Sequence, residues 1–172
     1  CSDVKDAAFK MKPPLRERAD REAIIRGLAD GTIDAIASDH APHTREEKAK
    51  GMLKAPFGAT GLETMLGLSL TALTLPGRLS RLRLAELMSA NPARILGLGR
   101  KGALAPGMDA DLTLIDPLVS YRVGPDFVSR SSNSPFIGRR LRGRAEAVVV
   151  GGRLVPAQRG AAGAGGSRRF CC

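Results

Sequence analysis

The sequence predicts an α/β fold in which strand and helix alternate first and a β layer follows. Three observations carry this. Residues 9–38 read as strand, turn, helix, strand, the order of a parallel α/β arrangement. Residues 62–98 read as a series of helices. After residue 99 the character changes, and short β-rich runs alternate with glycine and proline.

Taken in order, Phe9–Met11 reads as the end of a strand, and Pro13-Pro14 forbid helix just after it. Asp20 is placed to cap a helix through Leu28, with Ala23, Ile24, Ile25 and Leu28 on one side and "DGT" closing it. Ile33–Ser38 reads as a short buried strand, and Thr44–Lys54 as a polar loop. The glycines of "APFGATGLE" mark a turn before a largely buried helix, Leu62–Leu73. "RLRLAELMSA" predicts a second helix. "NPARILGL" predicts a third, with Asn91 as N-cap, Pro92 in the first helical position and Gly97 as the stop. Leu112–Ile115 and Ser120–Val123 read as strands. "AEAVVVGGRLV" reads as a hairpin turning at Gly151-Gly152. The division expected is 1–99, 100–156 and a disordered Gly/Ala-rich tail, 157–172.

A chain of 172 residues with 43% hydrophobic side chains can pack one ordinary domain or part of a larger one. Aromatics are only 3% and Trp is absent, so the core is expected to be aliphatic. No apolar run reaches the roughly 18 residues that span a membrane, which excludes a membrane partner on this reading. The chain opens Cys-Ser-Asp, without Met and without a basic-then-apolar leader. The expectation is a chain that starts inside a longer one, in the cytoplasm. Cys1, Cys171 and Cys172 lie at the ends, without metal-ligand spacing, and are read as free thiols. The net charge of +10 divides as +3 over residues 1–99 and +7 over 100–172. An arginine cluster at 139–144 could meet a polyanion. Stacking aromatics and a nucleic-acid motif are missing, which argues against nucleic acid as a partner.

The chemistry concentrates in "IASDHAPHTREEKAK", which holds both histidines of the chain, His40 and His43, beside Asp39. Functional residues of parallel α/β folds collect where strands end, and Asp39 directly follows Ile33–Ser38. A carboxylate there can bind a metal, act as a general base, or do both. Equally, Asp39 can cap the next turn while His40 packs. A complete zinc site takes three or four protein ligands, more than this motif offers.

The stretch "DAIASDHAPHTREEK" resembles the D-H-A-P-H signature of the dihydroorotases, within the amidohydrolase superfamily. "FKMKPPLR", "APFGATGLET", "NPARILGL", "KGALAPGMDADLTLIDP" and "SNSPFIGRRLRG" resemble further segments of that family, in the same order, from about Phe9 to Val155. The resemblance covers only the C-terminal part of such an enzyme. It implies the end of a TIM (β/α)8 barrel followed by part of a small β-sandwich. It also implies a zinc-dependent cyclic amidase that interconverts N-carbamoyl-L-aspartate and (S)-dihydroorotate in pyrimidine synthesis.

By that resemblance Asp39 binds the more buried of two zinc ions and serves as general base. His43 contacts substrate, and Phe57 and Gly58 contact it through their backbone. Lys12 stands where the family has a substrate-binding Asn, and it is longer, charged and donor-only. His40 is structural. The remaining ligands, an H-x-H pair, a bridging residue and two further histidines, have no counterpart here, so the chain alone is expected to be inactive. Arg16 is expected to hold its loop through a carboxylate, Glu63 to pair locally, and Asp109 and Asp111 to shape the turn into the β layer. Two alternatives stay open. One is another cyclic amidohydrolase, an allantoinase or dihydropyrimidinase. The other is an inactive dihydroorotase-like partner of aspartate transcarbamoylase. The expected partners are the small-molecule substrate, and a second copy or that transcarbamoylase.

Overall fold

The computed structural model describes residues 6–156. The terminal cysteines and the Gly/Ala-rich tail expected to be disordered lie outside the described residues. Phe9 does not end a strand: Ala7–Phe9 form a 3-10 turn, capped by the Asp6 side chain, which accepts from Ala8 N–H at 2.8 Å. Helix α1 runs Arg18–Asp30. Its start lies before the expected cap, because Asp20 sits one turn in and accepts from Glu17 N–H at 3.2 Å. Gly31 closes it in the left-handed region, at φ 94°.

Ile33–Ser38 is not a strand among the described residues. A strand is defined by a paired neighbour, and this segment's backbone bonds to helices instead. Ile33 N–H donates to Gly27 O at 2.9 Å, and Ile36 N–H to Leu87 O at 3.0 Å. The Asn91 side chain donates to Asp34 O at 2.9 Å. The parallel pairing that the sequence suggested is reduced to one bridge, His40 with Ala59.

Thr44–Lys54 is not a plain loop either. Helical turns α2 (Arg45–Lys48) and α3 (Gly51–Lys54) interrupt it. Helix α4 (Met65–Ser69) continues into a π-helical turn, Leu70–Thr74. Helix α5 (Arg81–Ala85), a second π-helical turn (Glu86–Ala90) and α6 (Asn91–Ile95) run on as one rod. Asn91 is therefore helical, at φ −66° and ψ −46°, rather than an N-cap. Its N–H donates to Glu86 O, five residues back. Widening the rod there makes room for Pro92, which lacks an N–H and whose ring would crowd the carbonyl four residues earlier.

These helices share an aliphatic core of Leu28, Leu70, Leu73, Leu79, Leu84 and Leu87, with Ile25, Ile33, Ile36, Leu66 and Met88 packed on it. Ile33 and Ile36 thus serve the burial that the apolar run promised, without a ladder.

The β layer is a three-stranded antiparallel sheet in the order β1 (Leu112–Arg122), β2 (Arg140–Val150), β3 (Arg153–Pro156). The two short strands expected are one strand with an irregularity between Asp116 and Ser120. Pro117 falls inside it, where no ladder N–H is required. Asp116 Oδ1 accepts from Leu118 N–H at 2.8 Å and closes the bulge. The hairpin turns where expected, with positive φ at both Gly151 (55°) and Gly152 (78°). Val123 and Leu141 pack with Leu68, Tyr121 and Phe127, which joins sheet to helix.

Asp109 and Asp111 belong to the turn before β1. Arg100 lies 2.9 Å and Lys101 3.2 Å from Asp109, and Lys101 also bonds Asp111. Asp111 Oδ1 accepts from Gly151 N–H at 2.7 Å, so this turn is tied to the hairpin. Lys101, then Gly151 N–H, holds the Asp111 carboxyl below its ordinary 3.8. Asp111, then Asp109, holds Lys101 above 10.5. The sign follows: the carboxylate's contribution is full above 3.8 and is lost as pH falls through the lower folded value. The ammonium's contribution is full below 10.5 and is lost as pH rises through the higher one. Both groups are partly exposed, so the effect on global stability is small. Locally it is measurable. The Gly151 amide resonance is expected to titrate on the acid side with a midpoint below 3.8, and Lys101→Met to move that midpoint up. An unmoved midpoint would refute the coupling.

Candidate functional site

The local sequence holds Asp39 and its neighbours in place by stitching two loops together. Asp39 is the one non-glycine residue with positive φ among the described residues, at 44°. Aspartate tolerates that region better than most side chains. Its side chain is exposed, with no hydrogen-bond or ion-pair partner among the described residues. His40 forms the bridge with Ala59, and Ala41 N–H donates to Ala59 O at 2.9 Å. His40 Nδ1 accepts from Gly61 N–H at 3.1 Å and Leu62 N–H at 3.3 Å. Two donors on Nδ1 mean that the proton of a neutral His40 sits on Nε2. The imidazole therefore braces one loop against the other.

His43 Nε2 lies 2.8 Å from Phe57 O, and a carbonyl only accepts, so Nε2–H donates. On the other side His43 Nδ1 lies 3.7 Å from Glu47 Oε2. Glu47 is itself fixed, because Thr44 and Glu47 cap α2 reciprocally: Thr44 N–H donates to Glu47 Oε2 at 2.9 Å and Glu47 N–H to Thr44 Oγ1 at 3.1 Å. The T-R-E-E stretch carries that signature in the sequence.

Gly58 has φ 111°, and a Cβ there would lie 2.5 Å from Ala41 Cβ. Only glycine permits this approach of the two loops. Gly58 N–H donates to Lys10 O at 2.8 Å, which lays the segment before Pro13 along the Phe57 loop. Lys10 Nζ stands 4.7 Å and Lys12 Nζ 5.9 Å from the centre of the half-exposed Phe57 ring. Lys48 Nζ donates to Pro56 O at 3.0 Å. Burial first, then the nearby Lys10 charge, holds Lys48 below the ordinary lysine range. Three ammonium groups thus rim the Phe57 loop.

The structure brings together His43, Phe57, Gly58 and Lys12. Asp39 precedes the bridge and is not bonded to them. A cleft of about 710 Å³ opens between the His43 loop and residues 125–132, with His43, Arg45, Phe127 and Arg130 in its walls; Asp39 and Phe57 are not among them. No group of three or more metal-ligating side chains occurs among the described residues. His40 Nδ1 and His43 Nε2 are held by backbone partners, and among the described residues of this loop Asp39 is the carboxylate that no partner holds, so the loop by itself does not make up the three or four ligands zinc takes.

Two residues hold the site that the sequence reading gave no role. Asn133, within the S-N-S-P-F motif, and Ser131, just before it, contact the His43 loop from 90 and 88 residues away. Glu63 was expected to pair locally. Its carboxylate instead accepts from Val128 N–H at 3.0 Å and Ser129 N–H at 2.9 Å, holding the far wall of the cleft. Arg16 does meet a carboxylate, Asp20, at 3.5 Å on the exposed side of α1.

Comparison with known proteins bears on this arrangement. The model of the amidohydrolase family matches residues 10–155. A dihydroorotase of Pelotomaculum thermopropionicum is 52% identical over 151 residues, covering 87% of this chain and 35% of that protein. A dihydroorotase of Endomicrobium trichonymphae is 50% identical over 147 residues, covering 85% of this chain and 35% of that protein. The chain thus spans about a third of the length of these curated relatives. Among solved structures, an L-hydantoinase (dihydropyrimidinase) from Arthrobacter aurescens superposes with a TM-score of 0.77 at 36% identity, over 86% of this chain and 34% of that one. A dihydropyrimidinase from Brevibacillus agri gives 0.77 at 27% identity, over 91% of this chain and 36% of that one.

Proposed function

The chain belongs to the amidohydrolase family, and from that premise we propose that it supplies the C-terminal part of a dihydroorotase, a cytoplasmic enzyme of pyrimidine synthesis. The observation that carries this reading is identity near one half to dihydroorotases over most of the chain: 52% and 50% for the two relatives above. In it, the helical portion is the end of a (β/α)8 barrel, and the sheet is part of a β-sandwich. Residues 1–99 and 100–156 are then two units, and the metal is zinc, with most ligands outside this chain.

The residues of this chain have distinct tasks in that reaction. The Asp39 carboxylate takes a proton from the attacking water and returns it to the ring nitrogen as the amide C–N bond breaks. Its lack of a hydrogen-bond partner among the described residues leaves both oxygens available. The Phe57–Gly58 backbone and His43 orient the ring, with His43 kept in one tautomer by Phe57 O. Lys12, with Lys10 and Lys48, gives the Phe57 loop a cationic rim that favours an anionic substrate. Residues that stand outside this chain complete the site, so the chain alone is inactive.

The hydantoinase neighbours favour a second reading, a cyclic amidohydrolase acting on a neutral ring. The cationic rim argues against it, since a neutral ring gains little from three ammonium groups. A third reading, an inactive partner of aspartate transcarbamoylase, rests on Lys12 in place of Asn.

The test is zinc content and hydrolysis of dihydroorotate by this chain, alone and mixed with the N-terminal part of the Pelotomaculum relative. Activity in the mixture only, with dihydroorotate preferred over dihydrouracil and hydantoin, is the expected result. Preference for a neutral ring would establish the second reading. No activity in a mixture shown to assemble by size-exclusion chromatography would establish a structural role.

A further inference from the structure

The loops proposed to meet substrate, 39–43 and 57–58, are joined directly by His43 Nε2–H to Phe57 O, and just beyond them by the backbone bridge of His40 with Ala59. A side chain from the far end of the chain spans the gap. Asn133 Oδ1 accepts from His43 N–H at 3.0 Å. Asn133 Nδ2 donates to Ala41 O at 3.1 Å and to Gly58 O at 3.4 Å. The backbone of the same residue joins in, Asn133 O accepting from Thr60 N–H at 3.2 Å. Ser131 Oγ lies 2.9 Å from Asn133 Oδ1 and also reaches His43 O; its one proton serves one of them at a time.

We propose that the Asn133 carboxamide sets the separation of the two loops and thereby aims the His43 imidazole at Phe57 O: it is a positioning residue for the site. The polarity of its partners leaves one orientation. A backbone N–H can only donate and two carbonyls can only accept, so the amide cannot flip. No other side chain of this size meets the demand. Aspartate would keep the acceptor for His43 N–H, but would set an oxygen against the Ala41 and Gly58 carbonyls. Alanine would leave both carbonyls and the His43 N–H without partners in a half-buried place. The position of His43 follows, because its N–H and its carbonyl are both held from the 131–133 segment while its ring is held by Phe57.

The inference rests on the reading above only for what the two loops meet. Its test reads geometry. The chain has two histidines, so nitrogen-15 spectra of the 172-residue protein contain two imidazoles. His40, braced by Gly61 and Leu62, is the internal control. In Asn133→Ala and Asn133→Asp, the His43 nitrogens are expected to shift toward a free tautomer mixture and the Nε2–H signal to be lost, with His40 unmoved. His43 unmoved in either variant would overturn the proposal. If both imidazoles shift, the variant has lost its fold, and the parent protein decides. There the Asn133 side-chain amide protons must show nuclear Overhauser contacts to the Ala41 and Gly58 α-protons, and their absence overturns the proposal. An enzyme assembly without activity leaves these spectra unchanged, so failure of the functional reading is seen separately.

Discussion

Asp39→Asn is expected to lower dihydroorotate hydrolysis by the assembled enzyme about 10³-fold, in the middle of the range for loss of a general base, with the fold intact. The substitution is chosen from the backbone. Asp39 sits at φ 44°, a region that asparagine enters as readily as aspartate. The amide therefore keeps the conformation and removes the charge, and with it both the proton acceptor and the carboxylate ligand that the resemblance assigns to zinc. Asp39→Ala removes the same groups but adds strain of about 1–2 kcal/mol at a left-handed position. The two variants should thus share the rate loss and differ in stability. Steady-state rates and thermal denaturation, measured side by side, separate the effects. Activity of Asp39→Asn within tenfold of the parent would exclude Asp39 as the base.

What could be read in the sequence, and what could not, divides by the range of the interactions. The hairpin was legible because its signal is local: two glycines supply the positive φ that the tight turn needs. The facing of the D-H-A-P-H and A-P-F-G loops was legible only as motifs; the bonds between them, such as His43 Nε2 to Phe57 O, were not. Ile33–Ser38 misled because burial and strand pairing leave the same apolar signature. The run is buried against the helices, and its backbone bonds go to Gly27, Leu87 and Asn91. Asn91-Pro92 misled for a different reason. Asn followed by Pro is a sound helix start, yet a widened turn carries the preceding helix through it. Thr44–Glu47 carried a legible capping box that its charged composition obscured. Asn133 was legible only as part of the S-N-S-P-F motif; its role was not, since the backbone partners of its side-chain amide lie 75 and more residues away.

Gly58→Ala is expected to destabilise the chain by about 2–6 kcal/mol, from two separable sources. One is backbone strain: φ 111° is a region that L-residues avoid, at about 1–3 kcal/mol. The other is overpacking, since the new methyl would lie 2.5 Å from Ala41 Cβ, worth about 1–3 kcal/mol. Ala41→Gly removes the second source and leaves the first. The coupling energy between the two substitutions should therefore be roughly 1–3 kcal/mol, with the double variant more stable than the sum of the single losses predicts. Ala41→Gly alone should cost no more than about 1 kcal/mol, through the freer unfolded chain. Chemical denaturation of the four proteins gives the coupling directly. Strong coupling means that the loops are held at a fixed separation and the methyls collide. Simple additivity means that the Phe57 loop shifts to accept the methyl, in which case His43 must lose Phe57 O. The same imidazole spectra that test Asn133 then distinguish the cases in Gly58→Ala alone: a rigid pair of loops keeps the His43 tautomer there, a yielding pair loses it, and the double variant, free of the collision, keeps it in both.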